Sequence, residues 1–136
     1  MFFKMATSLF SSSMCNMKDL LSLAFLGDSI HTTFVRDYVV RNFSLKMDEL
    51  NRLANKFCRA SAQANTLEKI TPLLTDEEKD IVRRTRNIKN KHKAKNVDIM
   101  TYKAATCFEA LIGHHYLENN KERLDFLLKA SLEGEK

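Results

Sequence analysis

The chain has 136 residues, enough for one globular domain. Hydrophobic residues make up 44% of it and charged residues 29%, a mixture that excludes an intrinsically disordered protein. The three glycines and single proline favour helices joined by short loops, and no apolar run has the length of a membrane span.

Residues 1–16 differ in composition from the rest of the chain. They contain four serines, one lysine and no acid, and a second plausible start follows at Met17. We interpret them as a disordered or mis-assigned N-terminal extension, with an organellar targeting remnant as the alternative. The globular domain is therefore placed at residues 17–136.

The first half of the domain is predicted to form three helices. Hydrophobic spacing indicates helices over residues 18–43 and 46–57, and a third that is capped by Ser61 and ends before Pro72. The first half of the first helix is apolar nearly all round, which is typical of a helix buried on several sides.

Cap signals organise the second half. Thr75 and the glutamate three residues later form a capping-box pattern, which opens a short helix that ends near Arg86. A longer apolar helix, capped by Asp98 or Asn96, comes next, and a last helix covers residues 121–132. The predicted fold class is all-α, a compact helical bundle.

Positive charge is concentrated in residues 83–103. This segment holds eight basic residues and one acid, whereas the rest of the chain holds 14 basic and 16 acidic residues. Such a segment is typical of a surface that contacts nucleic-acid phosphates, and a solvated loop is the alternative. The residues predicted to bind nucleic acid are Arg83, Arg84, Arg86, Asn87, Lys89, Lys91, Lys93 and Lys95.

Asp28 and Glu109 are isolated acids within the two most apolar helices. An unpaired carboxylate in a core is costly, so each acid must pair with a basic residue, lie on a solvated edge or bind a cation. From spacing alone we favour the first two interpretations. In the third, both acids meet where the helices cross and hold Mg²⁺, with Gly27 and Gly113 allowing close approach of the helix backbones.

Two short motifs carry a family resemblance. Residues 23–29 (LAFLGDS) are similar to the signature helix of the ribonuclease III catalytic domain, and residues 108–113 (FEALIG) are similar to its second signature. The resemblance covers residues 17–132, and no double-stranded-RNA-binding domain follows, as in the mini-ribonuclease III family. Larger members have acids where this chain has Ala24 and Thr106, and these departures also fit the mini-ribonuclease III pattern.

The resemblance implies an Mg²⁺-dependent endoribonuclease, with Mn²⁺ as a substitute, that cuts double-stranded RNA. Its implied catalytic and metal-binding residues are Asp28 and Glu109. The implied fold is a ribonuclease III-type homodimer with Phe25 at the dimer contact, although core packing explains Phe25 equally well. The implied substrate is the precursor of large-subunit (23S) ribosomal RNA. Three cysteines without metal-type spacing indicate reduced thiols, in agreement with a cytoplasmic location.

Two other functions remain open from the sequence. The fold could serve as a non-catalytic RNA-binding or ribosome-assembly module, because Ala24 and Thr106 leave few metal-binding acids. A helical adaptor whose basic segment binds an acidic protein is the weaker alternative.

His31 lies one turn after Asp28, and we favour a structural role over proton transfer. The Thr106 hydroxyl could serve the metal site or bond its own helix backbone.

Overall fold

The computed structural model describes residues 19–89 and 98–133. The N-terminal extension at 1–16 lies outside the described residues, as do Lys91, Lys93 and Lys95. All regular secondary structure in the described ranges is helical, which confirms the all-α prediction. None of the helices found there is long and apolar enough to cross a membrane.

The described residues form six α-helices and one 3₁₀ turn. In chain order they are α1 (Leu20–Asn42), α2 (Met47–Cys58), α3 (Ala60–Ile70), the 3₁₀ turn (Thr71–Leu73), α4 (Asp76–Arg86), α5 (Ile99–Leu117) and α6 (Lys121–Glu133). The predicted helix ends lie within two residues of these bounds, because hydrophobic spacing and cap residues are local features of the sequence.

Two of the three predicted helix caps are confirmed. The Thr75 hydroxyl accepts a hydrogen bond from the Glu78 amide at 3.1 Å, and the Glu78 carboxylate accepts one from the Thr75 amide at 2.8 Å. At the start of α5, the Asp98 carboxylate accepts a hydrogen bond from the Thr101 amide at 2.9 Å. The predicted cap at Ser61 is wrong, because α3 begins at Ala60 and Ser61 lies inside its first turn.

Helix α5 is the central element of the bundle. It packs against α1, α3, α4 and α6, and α1 makes the most extensive of these contacts. Its residues are buried on almost every side from Ala105 to His115, with half-buried Glu109 as the exception. A helix enclosed by four neighbours needs apolar residues all round, which explains why this segment is so uniformly apolar.

Two glycines allow α1 and α5 to approach closely. A Cβ atom on Gly27 would overlap the backbone carbonyl of Glu109, and one on Gly113 would overlap the carbonyl of Leu23. Neither carbonyl belongs to a flexible side chain, so a larger residue would force the helices apart. The predicted packing role of both glycines is confirmed, and the contact at Gly27 brings Glu109 next to the helix that carries Asp28.

The beginning of α1 is not buried on several sides in the single chain. Phe25 is 84% exposed and Leu21 is 37% exposed, although Leu23 and Ala24 between them are buried. The expectation of all-round burial is therefore wrong for the isolated chain, and so is the core-packing interpretation of Phe25. The exposed side of this segment is an apolar surface.

Candidate active site

Asp28 on α1 and Glu109 on α5 lie next to each other. Their carboxyl groups are within hydrogen-bonding reach, and Asp28 is exposed whereas Glu109 is half-buried. The solvated-edge interpretation therefore holds for Asp28. No ion pair found among residues 19–89 and 98–133 joins either carboxylate to a basic side chain. Within the described ranges, the acids therefore meet each other and no counter-charge.

This juxtaposition perturbs Glu109 strongly. Burial, a hydrogen bond shared with Asp28 and the charge of Asp28 together raise the pKa of Glu109 to about 9, against a smaller opposing effect of Gln63. Without a cation, Glu109 therefore keeps its proton at neutral pH. A divalent cation would replace that proton, and two carboxylates that leave room for water and phosphate oxygens are a donor set suited to Mg²⁺.

Gln63 on α3 is the polar neighbour of Glu109 that sequence reasoning missed. It is 3% exposed, and its Nε2 donates to Nδ1 of His31 at 3.0 Å and also hydrogen-bonds Glu109. A signal for it exists in the sequence: residues 63, 66, 67 and 70 have the spacing of one inward helix face. A glutamine on such a face requires polar partners inside the protein.

His31 belongs to the interior and not to the exposed surface. Its ring is fully buried and packs edge-to-face on Phe108, with the ring centroids 5.4 Å apart. Burial lowers the pKa of His31 to about 4, although the negative charge of Asp28 opposes this shift. The imidazole is therefore neutral at pH 7, and the structure favours the structural interpretation of His31 over direct contact with RNA.

Two further side chains near the acids are not additional anionic ligands. The Thr106 hydroxyl donates to the Tyr102 carbonyl at 2.9 Å, so it bonds its own helix backbone. Burial raises the pKa of the Cys58 thiol to about 11, and this thiol shares a hydrogen bond with Thr32. In the described part of the chain, no group of three or more His, Cys, Asp or Glu side chains is arranged to hold a metal.

Those residues predicted to bind nucleic acid that the structure describes lie at the end of α4 and just beyond it. They do not all share one face. Arg83 and Arg86 line a groove of about 750 Å³ between α3, α4 and α5, whereas Arg84 lines a separate cavity of about 820 Å³ beside α1. Asp80 pairs with Arg83 at 2.6 Å and with Arg84 at 3.6 Å. The predicted binding residues with exposed side chains are Arg83, Arg84, Arg86, Asn87 and Lys89.

A second carboxylate site lies farther along α5. Glu78 is fully buried, and its carboxylate accepts hydrogen bonds from Arg123 at 2.6 and 3.0 Å and pairs with Nε2 of His115 at 2.6 Å. Burial acts to raise the pKa of Glu78, but bonds from His115, Arg123 and Thr75 outweigh it and lower the pKa to about 2. This cluster was not predicted from the sequence.

Comparison with known proteins adds three findings. The family model for the ribonuclease III domain matches residues 21–120. A mini-ribonuclease 3 from Brevibacillus brevis is 42% identical over 88% of this chain and 92% of its own length, and one from Staphylococcus aureus is 43% identical over 79% and 82%. A crystal structure of a Fusobacterium nucleatum protein has a TM-score of 0.76 at 33% identity, covering 85% of this chain and 93% of that chain.

Proposed function

This chain belongs to the ribonuclease III family, in its mini-ribonuclease 3 group, and is an endoribonuclease; we propose that it hydrolyses double-stranded RNA with Mg²⁺ held by Asp28 and Glu109. The observation that carries the proposal is the pair of adjacent carboxylates for which no basic partner is found among the described residues. Mn²⁺ is expected to substitute, because it prefers the same oxygen ligands.

Each side chain of the proposed site has a separate task. Exposed Asp28 is accessible to a phosphodiester, whereas Glu109 is half-buried and Gln63 lowers its pKa by hydrogen bonding. When bound, Mg²⁺ supplies the Lewis acidity that polarises the phosphodiester and activates water. Because the chain offers two acids here, any second ion would depend largely on oxygens from RNA and solvent.

Contact with the RNA backbone is assigned to the predicted basic residues Arg83, Arg84, Arg86, Asn87, Lys89, Lys91, Lys93 and Lys95. Guanidinium and ammonium groups on phosphates supply affinity without reading sequence. The exposed arginines at the end of α4 support this assignment, although they face two grooves. RNA recognition is therefore expected to depend on helix shape, as is usual for double-stranded RNA.

The active form is proposed to be a homodimer with Phe25 at the contact. An aromatic ring that is 84% exposed beside a partly exposed Leu21 is costly in water and suits a self-complementary interface.

The proposed natural substrate is a precursor of large-subunit (23S) ribosomal RNA. The proposed location is the cytoplasm, in keeping with the bacterial relatives.

The test is cleavage of a long RNA duplex by the purified chain in Mg²⁺, compared with excess EDTA. Glu109→Gln keeps the size of the side chain and removes its charge, so we expect a loss of at least about a hundredfold, because even outer-shell partners of a metal site cost 10–100-fold. Glu68→Gln is the matched control, since Glu68 is an exposed acid on α3.

Each possible result has a clear meaning. Mg²⁺-dependent cleavage that Glu109→Gln abolishes and Glu68→Gln preserves would support the proposal. Full activity of the Glu109→Gln enzyme would remove Glu109 from the site. Duplex binding without cleavage by the wild-type chain would favour the non-catalytic RNA-binding alternative.

A further inference from the structure

The residue whose role goes beyond the paired acids is Gln63. It reaches Glu109 from α3, while its other contact, His31, comes from α1. The three helices that meet at the site are therefore joined by one buried amide. An amide with polar partners on both sides, at 3% exposure, has few alternative orientations.

The chemistry of the amide fixes the direction of both hydrogen bonds. The Nε2 atom of a glutamine carries two protons and no available lone pair, so it can only donate. Nδ1 of His31, which lies 3.0 Å from it, is therefore the acceptor, and the imidazole proton is assigned to Nε2, a buried nitrogen for which the described residues offer no hydrogen-bond partner. The second amide proton is then directed to Glu109.

The neutral state of His31 is what keeps this arrangement in place. A charged imidazole would carry protons on both nitrogens, and Nδ1 would then repel the amide N–H group. The glutamine would have to turn its carbonyl oxygen to His31. Burial against Phe108 keeps the ring neutral at physiological pH, so one ring nitrogen remains an acceptor, and the contact with Nε2 of Gln63 places that acceptor at Nδ1.

We propose that Gln63 is a positioning residue that orients the Glu109 carboxylate for metal binding, and that His31 fixes the direction of the Gln63 amide. The proposal rests on the proposed metal site at Asp28 and Glu109. Gln63 is not a metal ligand in this arrangement, because its nitrogen faces the carboxylate. Its effect is to restrict Glu109 to one orientation toward Asp28 before a cation arrives.

The experiment is calorimetric titration of the purified chain with Mn²⁺, without RNA. Gln63→Met keeps the length of the side chain and removes both donors, so we expect the Kd for Mn²⁺ to rise about tenfold, as for other outer-shell partners of a metal site. Thr66→Val is the matched control, because Thr66 is buried one turn later on α3 and its hydroxyl bonds the Ala62 carbonyl. It should leave the Kd unchanged.

A purely structural role of Gln63 would give a different set of measurements. Thermal unfolding would then shift while the Kd for Mn²⁺ stayed at the wild-type value, and this result would overturn the proposal. In cleavage assays, the positioning role predicts lower turnover at limiting Mn²⁺ that recovers at high Mn²⁺, with an unchanged KM for RNA.

A pair of His31 variants tests whether His31 fixes the direction of the Gln63 amide. The pair also keeps the proposal testable if Gln63→Met does not fold. The Oδ1 atom of asparagine lies close to the position of Nδ1 in histidine, so His31→Asn keeps an acceptor for the Gln63 amide, whereas His31→Leu removes it. We expect a several-fold weaker affinity for Mn²⁺ in His31→Leu and near-normal affinity in His31→Asn. Equal affinities in the two variants would overturn the role of His31.

Failure of the positioning role can be distinguished from failure of the proposed function. If the wild-type chain binds Mn²⁺, Glu109→Gln loses that binding and Gln63→Met retains it, the positioning role alone is overturned. If Gln63→Met weakens Mn²⁺ binding but the wild-type chain leaves duplex RNA uncut, the positioning role is supported and the proposed reaction is overturned.

Discussion

Helix α5 contributes to two carboxylate sites that meet the cost of burial in opposite ways. Near its middle, Glu109 faces another acid, and the pKa of Glu109 rises to about 9. Near its end, His115 meets Glu78, which Arg123 also binds, and the pKa of Glu78 falls to about 2. The same helix thus contributes to one site whose acids have no basic partner among the residues that the structure describes, and to one site whose acid an arginine and a histidine compensate.

The difference separates stability from function. Removing one partner of a buried carboxylate held by an arginine and a histidine destabilises the native packing of α4, α5 and α6, because the remaining groups lose their opposite charge. Two adjacent carboxylates destabilise the folded chain until a cation arrives, and this makes them suitable for binding one. The raised pKa of Glu109, which burial and the neighbouring acid Asp28 cause, therefore supports the proposed cation site.

The largest expected effect on stability comes from removing the compensated acid. Glu78→Gln would leave Arg123 and His115 without their anion, and we expect the free energy of unfolding to fall by about 3–5 kcal/mol. Urea unfolding at pH 7 in EDTA measures this change. Glu109→Gln should have no such cost and should leave the chain equally stable or more stable, because glutamine is neutral and the folded chain no longer has to take up a proton at Glu109 at pH 7. A larger loss of unfolding free energy in Glu109→Gln than in Glu78→Gln would contradict this prediction.

The pH dependence of stability should also have opposite signs at the two sites. Glu109 has a folded pKa of about 9, above its usual value of 4.5, so the folded state binds the extra proton between these limits. Without metal, its contribution to stability is lost as pH rises from about 4.5 to 9, by about 1–3 kcal/mol after allowance for partial exposure. Glu78 has a lowered folded pKa, so its contribution is lost as pH falls from about 4.5 to 2.

Unfolding curves at several pH values, in EDTA and in Mg²⁺, measure both effects. The wild-type chain should lose stability relative to Glu109→Gln as the pH rises, and Mg²⁺ should remove that difference. The wild-type chain should have a larger free energy of unfolding than Glu78→Gln at neutral pH. This difference should disappear in acid, with or without Mg²⁺. An Mg²⁺-independent difference between the wild-type and Glu109→Gln chains at high pH would argue against cation binding by the pair.

The smallest effect concerns the capping box that holds Glu78 in place. Thr75→Ala removes the hydroxyl that accepts from the Glu78 amide, and a lost N-cap costs about 1 kcal/mol. Thermal unfolding should show this decrease, while cleavage at saturating Mg²⁺ stays at the wild-type level. Thr75→Ser is the control that keeps the cap. A loss of cleavage in Thr75→Ala without a loss of stability would connect two sites that we expect to be independent.

Most of the fold was predictable because its signals are short-range. The capping box at Thr75, the cap at Asp98 and the apolar spacing of the helices each lie within a few residues of chain. The one failed cap, Ser61, shows the limit of such signals, since α3 begins two residues earlier than a cap at Ser61 allows. Local patterns predicted the existence of the helices better than their first residues.

The two candidate acids could be identified from the sequence, whereas their surroundings could not. Asp28 and Glu109 stand out as charged residues in apolar helices, and Gly27 indicates that these helices touch. Gln63 and His31 are 32 residues apart, and nothing in the spacing between them predicts a bond. The solvent exposure of Phe25 and Asp28 likewise depends on which helix covers which face.

The sequence by itself determined the helices, their order, the family resemblance and the two acids, because these depend on neighbouring residues or on short motifs. The tertiary structure decided the charge balance around each acid. Glu78 and Arg123 are 45 residues apart, and Asp28 and Glu109 are farther apart still. Whether a buried carboxylate meets a cation or another carboxylate depends on how helices pack, and that packing raises the pKa of Glu109 and lowers the pKa of Glu78.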